Sequence, residues 1–332
     1  MRKSQHISSL LSMPVPSWVI APFARHKTLT MISAPQSSGK SALLSYIGLM
    51  ASGGAAFLDF PPPAMARKVL FIGLDAPSYD YAAIARKLLA PLEPYCLADF
   101  DFWVSSEPID ILSPAFIDLI SEVTEEIVTP SDEGVDIDHW LPELVIIDAF
   151  ISIHSMDENS SKEMKPVMAA LRALAEAGPA VVFAHHETKG GDSAGTARGS
   201  TVIPASVDMH LALRSRKFEG GLNIKGKWKK GRGSELAEDF QCTLTWDEES
   251  MRIIGDEEEI RLRAARVKER EKRILRALKA LDPKTTYLWA DLLKLIKISP
   301  RELKAYVERG QFTKVEGGWR HALNPRHHPS LQ

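Results

Sequence analysis

The first two thirds of the chain are punctuated by short apolar runs, each bounded by turn-forming residues. They lie at 28–33 (TLTMIS), 68–74 (KVLFIGL), 101–105 (DFWVS), 143–148 (ELVIID), 180–186 (AVVFAHH) and 208–214 (DMHLALR). Runs of this length are too short for core helices and predict buried strands. Between several of them lie segments with apolar residues at helical spacing, such as KSALLSYIGLMA (40–51) and KEMKPVMAALRALAEAG (162–178). Strands alternating with helices predict an α/β fold, a mostly parallel sheet with helices on both faces. Such a sheet offers its ligand site at the C-terminal ends of the strands. Three later runs, GGLNIKGKWKK (220–230), FQCTLTWD (240–247) and SMRIIG (250–255), alternate apolar and polar residues. They predict antiparallel strands that finish the sheet.

The pattern changes at residue 257. A long charged helical segment (257–281) is followed by two shorter ones, TYLWADLLKLI and SPRELKAYVERG, and then by FTKVEGGWRHAL. Ser299 and Pro300 suit the start of the second short helix. The last run reads as a hairpin turned by Gly317 and Gly318. Three helices and a hairpin predict a small winged-helix-like domain. The expected division is an α/β core domain over 1–256, a winged-helix-like basic domain over 257–324 and a disordered tail over 325–332. His327 and His328 in that tail lack neighbouring metal-ligand partners.

Charge sharpens this division. The net charge of the 332 residues is -2, which by itself argues for no partner. From Glu257 onward, however, there are 18 Lys and Arg against 10 Asp and Glu, so the body before it is acidic. A basic domain behind an acidic body is the layout expected when one part meets nucleic acid. Arg301, Lys304 and Arg309 on the second short helix, and Lys314 and Arg320 on the wing, are the cations that could meet phosphates. The alternatives are a solvated helix surface and a protein docking module.

The two cysteines, Cys96 and Cys242, form no metal or disulfide pattern, so a reducing cytoplasm is the expected compartment. The N-terminal apolar run is broken by Pro14 and Pro16, which argues against a signal peptide. No run approaches the roughly 20 apolar residues of a membrane helix.

Candidate chemistry clusters at strand ends. Between the first strand and its helix stand Ala34, Pro35, Gln36, Ser37, Ser38, Gly39, Lys40 and Ser41. This is a phosphate-binding loop, G-x-x-x-x-G-K-[ST], with Ala34 in place of the first glycine. Gly39 can take the backbone angles that turn amides onto phosphate oxygens, and Lys40 supplies a charge for the β- and γ-phosphates. Ser41 offers a hydroxyl to Mg²⁺. A methyl at Ala34 is tolerable if its φ is negative. Asp148, ending an apolar run, matches the second Mg²⁺-linked carboxylate of such sites. Asp75 ends another run and could polarise an attacking water; the alternative is a cap for the helix that follows. Of His185 and His186, which alternate across a strand, at most one can report on the γ-phosphate. The Gly- and Ser-rich segment 186–201 carries Lys189 and Arg198, cations suited to ordering around a nucleotide or nucleic acid.

In this order, the segments SWVIAPF…TMISAPQSSGKSALL, VLFIGLDAPS, LVIIDAF…HSMDENSS, VVFAHHETKGG and ARGSTVIPASVDMHLALR resemble RecA-type ATPases of the AAA_25 group, whose best-known members resemble plasmid RepA-type hexameric replicative helicases. The resemblance covers about Trp18 to Arg214. It implies a RecA-like P-loop core, ATP and Mg²⁺ as cofactors, self-association into a ring, and single-stranded DNA in the central channel. It also implies Lys40 and Ser41 at phosphate and Mg²⁺, Asp148 as the second Mg²⁺ carboxylate and His186 as sensor. Arg198 would be the finger reaching a neighbouring subunit's ATP, with Lys189 assisting. The family usually has Glu where Asp75 stands, a methylene longer. That departure bears on hydrolysis more than on binding.

Three functions compete. The first is a DNA-dependent ring ATPase, a helicase or translocase, with replication or recombination proteins as further partners. The second is a DNA-bound ATPase acting as loader, recruiter or regulatory switch without strong unwinding. The third is a small-molecule kinase. The third would need an acceptor pocket and a lid of clustered arginines, for which 186–201 is poorly suited.

Overall fold

The computed structural model describes residues 15–92, 100–131, 134–187, 199–232 and 238–256. C-terminal to these it describes most of 272–298, parts of 303–307, and 312–321, with a few single positions elsewhere. Lys189, Arg198, Ser299, Pro300, Arg301, Arg309 and the tail 325–332 lie outside the described residues, as do their expected roles. The chain divides into two compact units, 1–256 and 257–332.

The first unit is built on a nine-stranded sheet. Its strands are β3 (Leu29–Ala34), β4 (Val69–Gly73), β5 (Phe102–Ser105), β8 (Leu144–Asp148), β9 (Ala180–His186), β10 (Met209–Phe218), β11 (Gly221–Gly231), β12 (Phe240–Trp246) and β13 (Met251–Gly255). Two short ribbons stand apart: β1 (Trp18–Ile20) with β2 (Ala24–Arg25), and β6 (Glu125–Ser131) with β7 (Gly134–Trp140). The order across the large sheet is β13-β12-β11-β10-β3-β9-β8-β4-β5. From β5 to β10 the neighbours are parallel, and from β10 to β13 antiparallel. The six runs and the three later ones all became strands of this sheet. The β6–β7 ribbon, by contrast, gave no alternation clear enough to predict it.

The apolar runs are continuous because alternate residues feed two different cores. On β8, Leu144 and Ile146 face one core, and Val145 and Ile147 face the other. The same division holds on β4, with Val69 and Phe71 against Leu70 and Ile72, and on β9, with Val182 against Val181 and Phe183. Helices α1 (Lys40–Ser52) and α2 (Ser78–Leu89) cover the first face. Helices α3 (Pro114–Glu122) and α4 (Ser161–Ala177) cover the second. A short α5 (Val202–Ser206) precedes β10. Helix α1 packs close to the sheet because Gly48 leaves room for Phe102 and Ile146; a Cβ there would stand 2.6 Å from the Phe102 ring.

After β3 the chain passes over the positions of β9 and β8 to form β4, so neighbouring strand ends diverge at β3. This is the switch point at which such sheets leave a crevice. In the first unit, among the described residues, no helix is long and apolar enough to cross a membrane.

The second unit has its own core. Ile274, Leu278, Leu281, Leu292, Ile296, Ile298, Leu303 and Phe312 are buried together, with Tyr287, Trp289 and Trp319 packed against them. It contains α6 (Trp289–Ile296) and a hairpin of β14 (Phe312–Val315) and β15 (Gly318–His321). The turn falls on Glu316 and Gly317, not on Gly317 and Gly318. Gly317 takes φ +83°, while Gly318 is already a strand residue paired with Val315. Lys304, Lys314 and Arg320 are exposed.

Candidate functional site

Strand β3 delivers the chain to the crevice with every residue buried. Ala34 is its last residue, paired with His186 of β9. It is not among the residues with positive φ, so nothing in the backbone requires glycine there. The chain then turns sharply: Ser37 takes φ +56° and Gly39 φ +85°. Left-handed residues spaced like this turn successive amides to one side, forming a concavity that suits an anion. Gly39 is constrained twice. Its φ favours glycine, and a Cβ would stand 3.1 Å from Leu222 and 3.3 Å from Ile224. Helix α1 starts at the next residue, so its amino end and dipole point into the same concavity. Ser38 braces the turn by donating from Oγ to the Pro35 carbonyl at 2.7 Å.

Lys40 is buried and turned back onto the loop. Its Nζ donates to the carbonyls of Pro35 (2.8 Å) and Ala34 (3.2 Å), and lies 3.4 Å from Nδ1 of His186. Burial lowers its pKa, while Asp148, Asp75 and Glu187 oppose that fall. An ammonium only donates, so Nδ1 of His186 must accept. The ring proton is thereby assigned to Nε2, which lies 3.7 Å from Oδ2 of Asp75. His186 thus bridges Lys40 and Asp75. That contact is the main reason the Asp75 carboxyl sits below its ordinary pKa.

Asp75 also accepts from Ser152 Oγ at 3.3 Å. It does not cap α2, whose N-cap is Pro77 without a side-chain hydrogen bond. Tyr81 of α2 secures the strand end instead. Its hydroxyl accepts from the Asp75 amide and donates to the Asp148 carbonyl. Burial raises the Tyr81 pKa.

Asp148 is the most confined charge in the site, 1% exposed. Neither carboxylate oxygen has a hydrogen bond of good geometry. Burial, and then Asp75, push its pKa up; Ser41 and Lys40 oppose this from close by. A buried carboxylate short of partners is costly unless something arrives to satisfy it. Beside Ser41, at the mouth of the 34–41 turn, that donor set fits a hydrated divalent cation carried by a nucleotide.

The structure thus brings together Lys40, Ser41, Asp75, Asp148 and His186. His185 faces the other way. It is buried against Phe150, with Nε2 3.5 Å from Glu158.

A second network escaped the sequence reading. Glu187, one residue past His186, accepts from Ser33 of β3 (3.0 Å) and from Arg214 of β10 (2.9 Å). Ser33 has a single proton, given to Glu187, so His210 Nε2, 2.9 Å from the same oxygen, is the donor to it. Burial lowers the His210 pKa to about 4. The available signal was polar residues interrupting apolar strands: Ser33 in TMIS and His210 in DMHLALR.

Comparison with known families bears on this arrangement. The profile of the AAA_25 family, described as an AAA domain, matches residues 4–192. No curated protein matches the chain.

Proposed function

The chain belongs to the AAA_25 family of AAA domains, and on that premise we propose an ATP-driven motor. It hydrolyses ATP and uses it to move on single-stranded DNA as a ring-forming helicase or translocase. The observation that carries the nucleotide part is the buried Asp148 carboxylate, unsatisfied beside Ser41 and Lys40 at the mouth of the turn. Ser41 and Asp148 would hold the Mg²⁺ that accompanies ATP, and that ion would neutralise charge on the β- and γ-phosphate oxygens. Amides of the 34–41 turn cradle the phosphates. Lys40 leaves its loop carbonyls for a phosphate oxygen. Asp75, kept ionised by His186, orients a water, and His186 senses the γ-phosphate between Lys40 and Asp75.

The parts concerning DNA and the ring rest on charge and resemblance. The second unit is basic, and its Lys304, Lys314 and Arg320 are exposed, as a winged-helix-like DNA-contacting module requires. Arg198, assisted by Lys189, would complete a neighbour's site. The reading as a loader, recruiter or switch draws its support from Asp75, a short carboxylate tied to Ser152 as well as His186.

The deciding test has two stages. ATP turnover by the full chain should require Mg²⁺ and be lost in Asp148→Asn; Mg²⁺-independent or unchanged turnover removes the proposed site. Unwinding of forked DNA with ATP then selects the helicase over the switch.

A further inference from the structure

Strand β11 buries one face only, and the same outer face of β10 opens from Arg214 onward, beyond buried His210 and Ala212. Leu211, Leu213, Leu222, Ile224 and Trp228 enter the core shared with α1. The opposite face presents Arg214 and Arg216 from β10, and Lys225, Lys227 and Lys229 from β11, all exposed. Register places Arg214 directly opposite Lys225, a like-charged cross-strand pair. Glu187 offsets the charge of Arg214, which leaves Lys225 facing a partner whose own counter-ion is already taken. The adjoining positions on β12, Gln241 beside Lys225 and Thr243 beside Asn223, carry no charge. Among the described residues, no carboxylate pairs with Lys225, Lys227 or Lys229.

An aromatic ring closes the row. Phe218 lies two residues beyond Arg216 and therefore on the same face, 42% exposed. Extended strands space alternate cations about 6.8 Å apart. A flat cationic strip ending in an exposed ring suits a polyanion with free π-faces, and suits a rigid duplex poorly.

We propose that the outer face of β10 and β11 is a binding surface for single-stranded nucleic acid, with its lysines on phosphates and Phe218 stacked on a base. The proposal rests on reading the chain as a nucleic-acid-bound ATPase, and it adds a surface within the first unit. Arg214 joins this face to the phosphate-binding strand through Glu187 and Ser33, so the strip abuts the nucleotide site.

The test uses the full chain and fluorescence anisotropy with an oligo(dT) strand and a duplex of equal length, each titrated across salt concentrations. Arg214 is left intact because Glu187 already engages it. Lys225→Gln/Lys227→Gln/Lys229→Gln should bind oligo(dT) at least about tenfold more weakly, its logarithmic salt slope shallower by about 2. Phe218→Ala should weaken oligo(dT) binding about tenfold with the slope unchanged. Thermal melting near the wild-type temperature checks that both variants fold. The face is overturned if the wild type binds oligo(dT) while both variants keep its affinity and slope, or if duplex binds as tightly. It is also overturned if Lys314→Gln/Arg320→Gln alone abolishes binding; in each of these cases the nucleic-acid reading survives. A wild type that hydrolyses ATP but binds neither probe overturns both.

Discussion

The two halves of the large sheet handle burial differently. In β3, β4, β8 and β9 both faces are covered, neighbouring residues serve opposite cores, and apart from hydrogen-bonded Thr30 and Ser33 the polar groups lie at the strand ends. In β10 to β13 most apolar residues feed one core, and beyond buried His210 and Ala212 the other face carries charge. Chemistry in the first half is therefore concentrated at strand tips, where Asp75, Asp148 and His186 converge. In the second half it is spread along a surface. The difference teaches that a strand covered on both sides can act only where it ends, whereas a strand covered on one side can act along its length.

The largest expected effect lies at the tips. Asp75→Asn should bind ATP normally and turn it over about 10²–10⁴-fold more slowly, measured by phosphate release. Full turnover would mean that another group positions the water.

Next comes the two-sided burial itself. Ile146→Ala and Ile147→Ala, adjacent on β8, should each destabilise the protein by about 2–5 kcal/mol in urea titrations. On β11 the adjacent pair should split. Ile224→Ala should fall in the same range, while exposed Lys225→Ala stays within about 0.5 kcal/mol. Equal losses at Ile224 and Lys225 would erase the distinction between the halves.

Lys40→Ala should weaken ATP binding about 10–100-fold by calorimetry, since a hydrogen bond to a charged group contributes about 1.5–3 kcal/mol. Its melting temperature should hold, because Lys40 meets loop carbonyls rather than packing in a core.

The smallest effect tests the seam between the halves. His210 has its pKa lowered to about 4 by burial, so the unfolded chain binds more protons between about pH 6.5 and 4. Its share of stability is intact above pH 6.5 and is lost as pH falls towards 4, by up to about 3 kcal/mol. His154, whose pKa burial also lowers, adds a loss of the same sign. His210→Gln, which keeps a donor for Ser33, should flatten the urea midpoint between pH 7 and 5; an unchanged pH profile would remove His210 from the account.

Much of this molecule is local in origin. Runs such as LVIID and AVVFAHH declare doubly covered strands because hydrophobicity without alternation is what two cores require of one strand. The turn 34–41 is legible for a similar reason: its lysine, serine and glycine are needed by phosphate chemistry at fixed spacing. Asp148 was legible as a charge ending an apolar run. Other features were not local. Asp75 could be read as a cap or a catalytic carboxylate, and only the position of Pro77 and the approach of His186 exclude the cap. Glu187, Ser33, His210 and Arg214 meet across three strands, and no spacing along the chain announces that. The basic strip was visible as lysines in GLNIKGKWKK, yet its meaning depended on the register that sets Lys225 opposite Arg214. Local sequence determined the nine strands of the large sheet and which residues can carry charge to their ends, because burial and backbone preference act over a few neighbours. Only the tertiary structure decided which of those charges face one another, because strand order and register join residues far apart in the chain.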